Sequence, residues 1–388
     1  MLFSQVIGQK SLTQKLRFLL YENRLAHALL LTGKEGFGAL PIALALAQYV
    51  VCDKIQAAIA SENGDPHILS DACGKCDACV KASKMIHPDV HYSFPVITKK
   101  AGSPPLSTDY ITEWRSFVKE NPYGTAYEWL QYIAAENKQG NITAHECNHI
   151  LQTLSLKSYE SGYKILIMWL PEYLGREGNI LLKIIEEPPP DTLFILVTEN
   201  EAQLLPTLIS RCQRIAIPPI NIPEIQAELI ANYNIQEQKA HQIALLSEGS
   251  YSAAMEMIAD KHENWEKLLR NWLNAILKGG PMPQSTFVDD IAARGREKQK
   301  QFLKYFLLVI EQAIRIGIGG KLAESYSPTQ IAFGEKLNKQ IQPEQYEAIS
   351  EVLSNAIYHI ERNANSKLLF RAVTLKIYHI LKDKILYF

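Results

Sequence analysis

The chain has 388 residues, of which 47% are hydrophobic and 21% are charged. These fractions are close to those of average globular proteins, so they exclude a wholly disordered, collagen-like or low-complexity chain. The length predicts two or three domains. Lysine and arginine total 40 and aspartate and glutamate total 41, a net charge of −1 that gives no global attraction to nucleic acid. Any contact with DNA must be local or shared with partner proteins.

No targeting or membrane-spanning segment is predicted. The first ten residues lack the basic region and apolar stretch of a secretory signal. The longest apolar stretch, residues 39–52, is interrupted by Pro41 and Gln48 and is shorter than the ~20 residues of a membrane span. We therefore expect a cytoplasmic protein with no membrane partner. In a reducing compartment, a cluster of cysteines suggests a metal site before a disulfide.

Predicted strands and helices alternate in the first part of the chain. The apolar run 27–31 is typical of a buried parallel strand, and it leads through a glycine-rich turn to a predicted helix over 40–51. Four further strands are predicted, at residues 90–94, 164–169, 193–197 and 214–217. This alternation predicts a wound α/β module over residues 1–219.

The remaining segments differ from this pattern. Residues 98–140 are rich in Gly, Ser, Pro and aromatic residues, which indicates an insertion with some helix whose aromatic side chains either cover a partner or pack on the module. Residues 220–270 are predicted to form a small helical domain, and residues 271–388 a helical bundle. Two apolar stripes at three- and four-residue spacing are interpreted as bundle core: Phe302, Tyr305, Phe306, Val309, Ile310, Ala313, Ile314 and Ile318, and then Ile349, Val352, Leu353, Ala356, Ile357 and Ile360.

The glycine-rich turn has the context of a phosphate-binding loop. Gly33, Gly36 and Gly38 lie between the predicted strand and helix, as such a loop requires. However, Ala39 stands where a P-loop needs a lysine, and Leu40 where a Ser or Thr would ligate Mg²⁺. Lys34 enters the loop from its far end and cannot replace that lysine. The loop is therefore interpreted as a packing turn, with no functional nucleotide site expected.

A second nucleotide signature would be an acidic pair at the end of an apolar strand. The strand 164–169 is instead followed by Leu170, Pro171 and Glu172, and Glu172 alone is equally well explained as a solvated residue at a helix start. Two independent losses at one site predict that this chain does not hydrolyse ATP.

Four cysteines predict a structural zinc site. Cys52 is followed after twenty residues by Cys73, Cys76 and Cys79, and Gly74 supplies a turn that lets the ligands converge. A Cys₄ set leaves no open position for water, which favours a structural over a catalytic role. The alternative is four unrelated buried or free thiols. Substitute ligands could come from two nearby histidines, more simply explained as surface or capping residues, and the two other cysteines are assigned to packing: His87, His91, Cys147 and Cys212.

The tripeptide Ser210-Arg211-Cys212 precedes the last predicted strand. Arg211 could be a salt-bridged surface residue, or it could project at a domain edge into the phosphate site of another subunit. Spacing alone leaves both readings open.

Together these segments resemble the bacterial clamp-loader subunits of DNA polymerase III, which are AAA+ proteins. The matching stretches, in chain order, are residues 6–9, 24–33, the set Cys52, Cys73, Cys76 and Cys79, and residues 136–142, 181–189, 198–200 and 205–213. An ordered set of this kind is far more specific than any one motif.

The resemblance implies an AAA+ module, a helical lid (220–270) and a helical collar (271–388) that joins subunits into a ring around DNA. It also implies that Arg211 is a trans-acting arginine finger for the ATP of an adjacent motor subunit, and that Thr198 lies at the sensor strand end. Residues 249–252 match the lid region, where Ser252 replaces the arginine of motor subunits. The implied partners are motor ATPase and delta-type subunits, the sliding clamp, and primed DNA through the assembled complex.

The departures from the motor pattern favour a non-hydrolysing, stator-like subunit. Such a chain is not an enzyme on its own, and the polymerase reaction belongs to the holoenzyme. Two alternatives remain open from the sequence. One is a motor-type clamp-loader ATPase, which robust turnover by the purified chain would indicate. The other is a zinc-dependent DNA-binding protein, which tight and salt-sensitive DNA binding would indicate.

Overall fold

The computed structural model describes residues 1–60, 70–99, 102, 104–135, 140–160, 162–259, 265–319, 328–361 and 364–385. They divide into two units, Met1–Ala259 and Asp260–Phe388, here called the α/β unit and the helical unit. No single helix in the described ranges has the length and apolar composition to cross a membrane. One pair of helices, Ala39–Val50 and Asp53–Ala60, together has that length and composition, but the two are bent by 59° relative to each other.

A parallel five-stranded sheet lies at the centre of the α/β unit, in the order β2-β3-β4-β1-β5. Its strands are β1 (Ala28–Thr32), β2 (Val90–Ser93), β3 (Lys164–Trp169), β4 (Thr192–Thr198) and β5 (Gln213–Ala216). The five predicted strands are thus confirmed to within a residue or two at each end. β3 and β4 are buried at every position, because helices cover both faces of a parallel sheet.

Twelve α-helices are described in the α/β unit. They are α1 (Lys10–Tyr21), α2 (Ala39–Val50), α3 (Asp53–Ala60), α4 (Asp77–Ser83), α5 (Ile111–Glu120), α6 (Ala126–Tyr132), α7 (Ala144–Ser155), α8 (Leu182–Glu186), α9 (Pro206–Ile209), α10 (Ile222–Tyr233), α11 (Glu237–Leu246) and α12 (Tyr251–Ala259). Helices of the 3₁₀ type lie at Phe3–Gln5, Ser107–Tyr110, Pro171–Leu181, which is kinked at Gly175, and Glu201–Gln203. Every residue of α2 is buried, including Pro41 and Gln48, because a helix that is almost entirely apolar lies within the core.

The two tryptophans of the segment 98–140 pack in the core of the α/β unit. Trp114 on α5 and Trp129 on α6 are both fully buried. The Trp114 ring stacks on Phe94 at a centroid distance of 4.2 Å and lies 5.1 Å from Trp169 at the end of β3. Of the two readings of this segment, packing on the module is therefore correct for these tryptophans. Residues 136–139, part of one motif of the resemblance, lie outside the described residues.

Helices α10, α11 and α12 form a cluster that includes Ile225, Leu229 and Ile243. The α/β unit extends through these helices to Ala259. The three-part division at residues 219 and 270 remains a prediction.

The helical unit contains six described α-helices. They are α13 (Trp265–Asn274), α14 (Pro281–Ala292), α15 (Arg296–Ile318), α16 (Pro328–Asn338), α17 (Pro343–Glu361) and α18 (Ser366–Tyr378), with π-helical turns at Ala275–Gly279 and His379–Asp383. Trp272 lies at the core, stacked on Phe287 at 5.2 Å, and its indole N–H donates to the Thr374 hydroxyl. Most residues of the two predicted apolar stripes are buried. Ile314 and Ile318 are 41% and 72% exposed, so their interpretation as bundle core is wrong.

Candidate functional site

The glycine-rich loop joins β1 to α2 at the carboxyl edge of the sheet. The Gly33 amide donates a hydrogen bond of 3.1 Å to the Thr198 carbonyl at the end of β4. Gly36 and Gly38 have φ angles of +77° and +94°, in the left-handed region that favours glycine. The predicted strand, turn and helix context of this loop is confirmed.

The side chains at the end of the loop are apolar and buried. Ala39 is 7% exposed and Leu40 is 4% exposed, and both belong to the core of the α/β unit. Lys34 is exposed at the other end of the loop. The cleft beside the loop has a volume of about 20 Å³, roughly the room that one water molecule requires. The start of α2 thus offers neither the ammonium nor the hydroxyl of a P-loop.

The carboxylate at the end of β3 binds the end of β4. Glu172 Oε1 accepts hydrogen bonds from the Thr198 hydroxyl at 2.5 Å and from the amides of Glu199 and Asn200 at 2.6 and 2.7 Å. The interpretation of Glu172 as a solvated residue is therefore wrong, although it does lie in the first turn of a 3₁₀ helix. The chain reverses after β3 through Leu170, at a φ of +59°, and this turn brings the carboxylate to β4. The Thr198 hydroxyl is committed to that contact.

Arg211 lies on the surface between α9 and β5 and pairs with Glu186 at the end of α8. Its Nε and Nη2 atoms donate to Glu186 Oε2 at 2.9 and 2.7 Å, and Nη1 donates to the Thr207 carbonyl at 2.9 Å. The side chains of Arg211 and Glu186 are 30% and 58% exposed. Exposed pairs of this kind stabilise a fold by about 0–1 kcal/mol, so the stability of the α/β unit depends little on this ion pair.

The four predicted metal ligands lie together. The Sγ atoms of Cys52, Cys73, Cys76 and Cys79 are all within 4.8 Å of one another, and those of Cys73 and Cys79 are 3.9 Å apart. In a tetrahedral site with Zn–S bonds of ~2.3 Å, geometry places the sulfurs roughly 3.8 Å apart. Gly74 supplies the turn with a φ of +65°. The donor set and its spacing therefore fit a tetrahedral ion that prefers sulfur.

Backbone amides stabilise negative charge on these sulfurs. Cys52 Sγ accepts from the Cys73 amide, Cys73 Sγ from the Cys76 amide, and Cys76 Sγ from the Cys79 amide, at 3.3 to 3.4 Å. A hydrogen bond with Cys79 lowers the pKa of the Cys52 thiol to about 5, and the same contact raises the pKa of Cys79. This contact favours the thiolate form of Cys52, and thiolate is the form that binds metal.

The two nearby histidines are not part of this cluster. His87 is buried, and its Nδ1 accepts from the Asp89 amide at 3.2 Å, so it caps a turn rather than lying on the surface. His91 is half-buried on β2.

The two single cysteines lie outside the cluster. Cys147 is buried in the core on the other face of the sheet, and partial burial raises the pKa of the Cys212 thiol to about 11. Both of these single cysteines pack as predicted.

Sequence reasoning missed three residues around the loop and the arginine. Tyr123 and Tyr251 cover the glycine-rich loop, and Glu186 holds Arg211. The Glu186-Glu187 pair in the segment before the prolines was visible as a motif, but nothing in its spacing indicated a contact with Arg211. No pattern in the sequence placed Tyr123 beside a loop some 85 residues earlier.

Comparisons with known proteins place the sequence in a family. A family model described as "DNA polymerase III, delta subunit" matches residues 8–221. The DNA polymerase III subunit delta′ of Bacillus subtilis is 28% identical over 58% of this chain and 51% of its own length. That of Pseudomonas aeruginosa is 27% identical over 50% of this chain and 43% of its own length. The chain thus spans about half the length of the curated relatives it matches.

Among solved structures, a DNA polymerase III gamma subunit-related protein from Thermotoga maritima aligns with 95% of this chain and 99% of its own, with a TM-score of 0.35 and 15% identity. The family model covers more than half of the sequence, from the residue before Gln9 to the start of α10. The chain therefore belongs to the DNA polymerase III delta subunit family, as a member of the delta-prime type.

Proposed function

We propose that this chain is a non-hydrolysing subunit of a clamp loader, which supplies Arg211 to the ATP site of a neighbouring motor subunit while the sliding clamp is loaded on primed DNA. One combination of features carries this proposal. The start of α2 presents buried Ala39 and Leu40 in place of the P-loop ammonium and hydroxyl, whereas Arg211 is retained at the surface. A chain with this combination can complete another subunit's site but lacks the groups to operate its own.

The architecture follows from the same proposal. The α/β unit is an AAA+ module, residues 220–270 serve as its lid, and residues 271–388 form a collar that joins the subunits. The partners are motor ATPase subunits, a delta-type subunit, the clamp, and primed DNA held by the assembled complex, in the cytoplasm. The polymerase reaction belongs to the holoenzyme rather than to this chain.

Arg211 would act through its fixed charge and planar fork. A guanidinium remains protonated and can donate two parallel hydrogen bonds to phosphate oxygens. In the chain alone, two of its nitrogens donate to a single oxygen of the exposed Glu186. At a neighbouring ATP, the γ-phosphate would replace this carboxylate, and the guanidinium would stabilise the charge that develops during phosphoryl transfer. Arginine fingers in other NTPases accelerate hydrolysis ~10³–10⁵-fold.

The cysteine cluster would hold a structural zinc ion. The ion would join Cys52, at the end of α2, to the loop and helix that carry the other three ligands. The N-terminal segment is anchored nearby, because the Asp71 carboxylate accepts from the amides of Phe3 and Ser4. Metal binding here would stabilise this side of the α/β unit and would take no part in hydrolysis.

The test is the DNA- and clamp-stimulated ATPase of a complex reconstituted with this chain. Arg211→Ala should leave assembly intact and lower hydrolysis at the adjoining motor site by roughly 10³-fold, the lower range for such fingers. Arg214→Ala is the matched control, because Arg214 also forms an exposed ion pair, with Glu201 at 2.7 Å. Equal rates in the Arg211→Ala and wild-type complexes would refute the finger. ATPase activity in the chain alone would refute the non-hydrolysing role.

A further inference from the structure

Three segments that are distant in sequence meet on the glycine-rich loop of the α/β unit. They are the N-terminal stretch 7–9, the turn 122–124 within the insertion, and residues 250–252 at the start of α12. In a P-loop protein, the nucleotide phosphates occupy the space against such a loop and accept from its backbone amides. Here the chain itself occupies that surface.

Tyr123 is the central side chain of this arrangement. It is 4% exposed, and its hydroxyl accepts a hydrogen bond of 2.7 Å from the Ile7 amide. Its ring lies against the loop so closely that a Cβ atom on Gly38 would be 3.0 Å from Tyr123 Cε1. On its other side, the ring meets Tyr251 at a centroid distance of 4.9 Å. Tyr123 thus contacts the N-terminal stretch, the loop and the start of α12.

The start of α12 binds the loop directly. The Tyr251 amide donates a hydrogen bond of 2.9 Å to the Gly36 carbonyl. The hydroxyls of Ser250 and Ser252, 3.0 Å apart, lie over Gly36, where a Cβ atom would be only 2.2 and 2.3 Å from them. Gly36 is therefore required by this contact as well as by its φ of +77°. Tyr123 and Tyr251 also belong to the apolar cluster of α10, α11 and α12, so the contact extends from the loop into these helices.

We propose that Tyr123 is an internal lock, which holds helices α10, α11 and α12 closed on the glycine-rich loop in the place that a nucleotide would occupy. The insertion thereby replaces a ligand with a permanent side-chain contact. The position of these helices on the sheet is fixed without ATP, and the cleft that remains beside the loop has a volume of about 20 Å³. This inference rests on the proposed function only in so far as the chain does not use ATP itself.

Amide hydrogen exchange on the full chain tests the lock, because its two backbone donors are the amides of Ile7 and Tyr251. Tyr123→Ala should accelerate exchange at both amides by roughly tenfold or more, as expected when a buried contact opens. Tyr123→Phe removes only the hydroxyl and should accelerate exchange at Ile7 while Tyr251 stays protected. Tyr127→Ala, at a neighbouring position that is 62% exposed, is the control and should change neither amide.

Unchanged exchange at Ile7 and Tyr251 in Tyr123→Ala would overturn the lock. If that variant does not fold, Tyr123→Phe decides, and wild-type exchange at Ile7 in it is the contrary result. Millimolar MgATP should leave the wild-type exchange pattern unaltered, and protection around Gly36 on its addition would also overturn the proposal. These measurements use the chain alone, so they are independent of whether Arg211 stimulates a complex.

Discussion

Glu172 and Thr198 join the ends of two adjacent strands, through a hydrogen bond of 2.5 Å from the threonine hydroxyl to the carboxylate. The same carboxylate oxygen accepts two backbone amides, those of Glu199 and Asn200. In this chain the acidic residue after β3 therefore stabilises the turn after β4.

Replacing this carboxylate should destabilise the α/β unit. Glu172→Ala leaves one hydroxyl and two amides without their acceptor, and hydrogen bonds to charged groups contribute about 1.5–3 kcal/mol each at most. We expect the free energy of unfolding, measured with urea, to fall by about 2–4 kcal/mol, because water can replace part of the hydrogen bonding that the carboxylate provided. Thr198→Val should lower it by about 1 kcal/mol. Glu177→Ala, at an exposed position, is the control, and an equal effect of all three variants would contradict this role for Glu172.

Loss of one cysteine ligand should remove the metal. We expect about one zinc ion per wild-type chain by atomic emission, and little zinc in Cys76→Ser. A Cys₄ site loses most of its affinity for the metal when one of its four thiolates is removed. The melting temperature should fall with the zinc content, and a chelator should have the same effect on the wild-type chain. Cys212→Ala, outside the cluster, should retain both. A zinc-free chain as stable as the zinc-loaded one would exclude a structural metal.

Arg211→Lys separates charge from geometry. Lysine keeps the positive charge but lacks the planar fork that donates two hydrogen bonds to phosphate. We therefore expect the reconstituted complex to lose most of the stimulated ATPase that Arg211→Ala removes. Glu186→Ala should leave this ATPase intact and change the stability of the chain by no more than about 1 kcal/mol, since the pair is exposed. Full activity with lysine would indicate a role for charge alone.

Protonation of His87 should destabilise the fold in acid. Burial lowers the pKa of His87 below its usual value, against opposing effects of Asp89, Glu160 and Asp53 and a reinforcing effect of Lys81. Because the folded-state pKa is lowered, the unfolded chain binds more protons, and this contribution to stability is present above about pH 6.5 and is lost as the pH falls. One such proton gives a slope of at most about 1.4 kcal/mol per pH unit.

The measurement is urea unfolding of the wild type and of His87→Asn between pH 7.5 and 5.5, a range that spans the ordinary histidine pKa of ~6.5. The asparagine can still accept from the Asp89 amide but does not titrate. As the pH falls, the wild type should lose stability relative to His87→Asn. A constant difference would show that His87 does not contribute to the acid sensitivity of the fold.

The insertion should contribute strongly to stability through Trp114. This side chain is fully buried and stacks on Phe94, so Trp114→Ala, which removes the ring, should cost about 3–5 kcal/mol. Trp114→Phe should cost much less, because Trp114 Nε1 has no hydrogen-bond partner among the described residues and the ring contact is partly kept. Tyr127→Ala should cost less than about 0.5 kcal/mol. Differential scanning calorimetry of the three variants measures these changes in the free energy of unfolding.

Much of the α/β unit could be predicted from local patterns. Each central strand is a continuous apolar run bounded by turn residues, because both faces of a parallel sheet are buried. Cys73, Cys76 and Cys79 are close in sequence, so their convergence follows from short-range geometry. Cys52 could be predicted as the fourth ligand because it is the cysteine that precedes this group in the same part of the chain. The missing lysine and hydroxyl at Ala39 and Leu40 were equally visible, because a P-loop fixes those positions relative to its glycines.

The tertiary structure decided the contacts between distant segments. The sequence left the aromatic insertion with two readings, and only the packed structure places Trp114 in the core and Tyr123 on the glycine-rich loop. It likewise assigns Glu172 to the end of β4 and gives Arg211 its partner Glu186. Local periodicity determines which residues are buried in a strand or helix, but it contains no information about which buried surfaces meet. That choice depends on the sheet order β2-β3-β4-β1-β5, which brings together side chains that lie far apart along the chain.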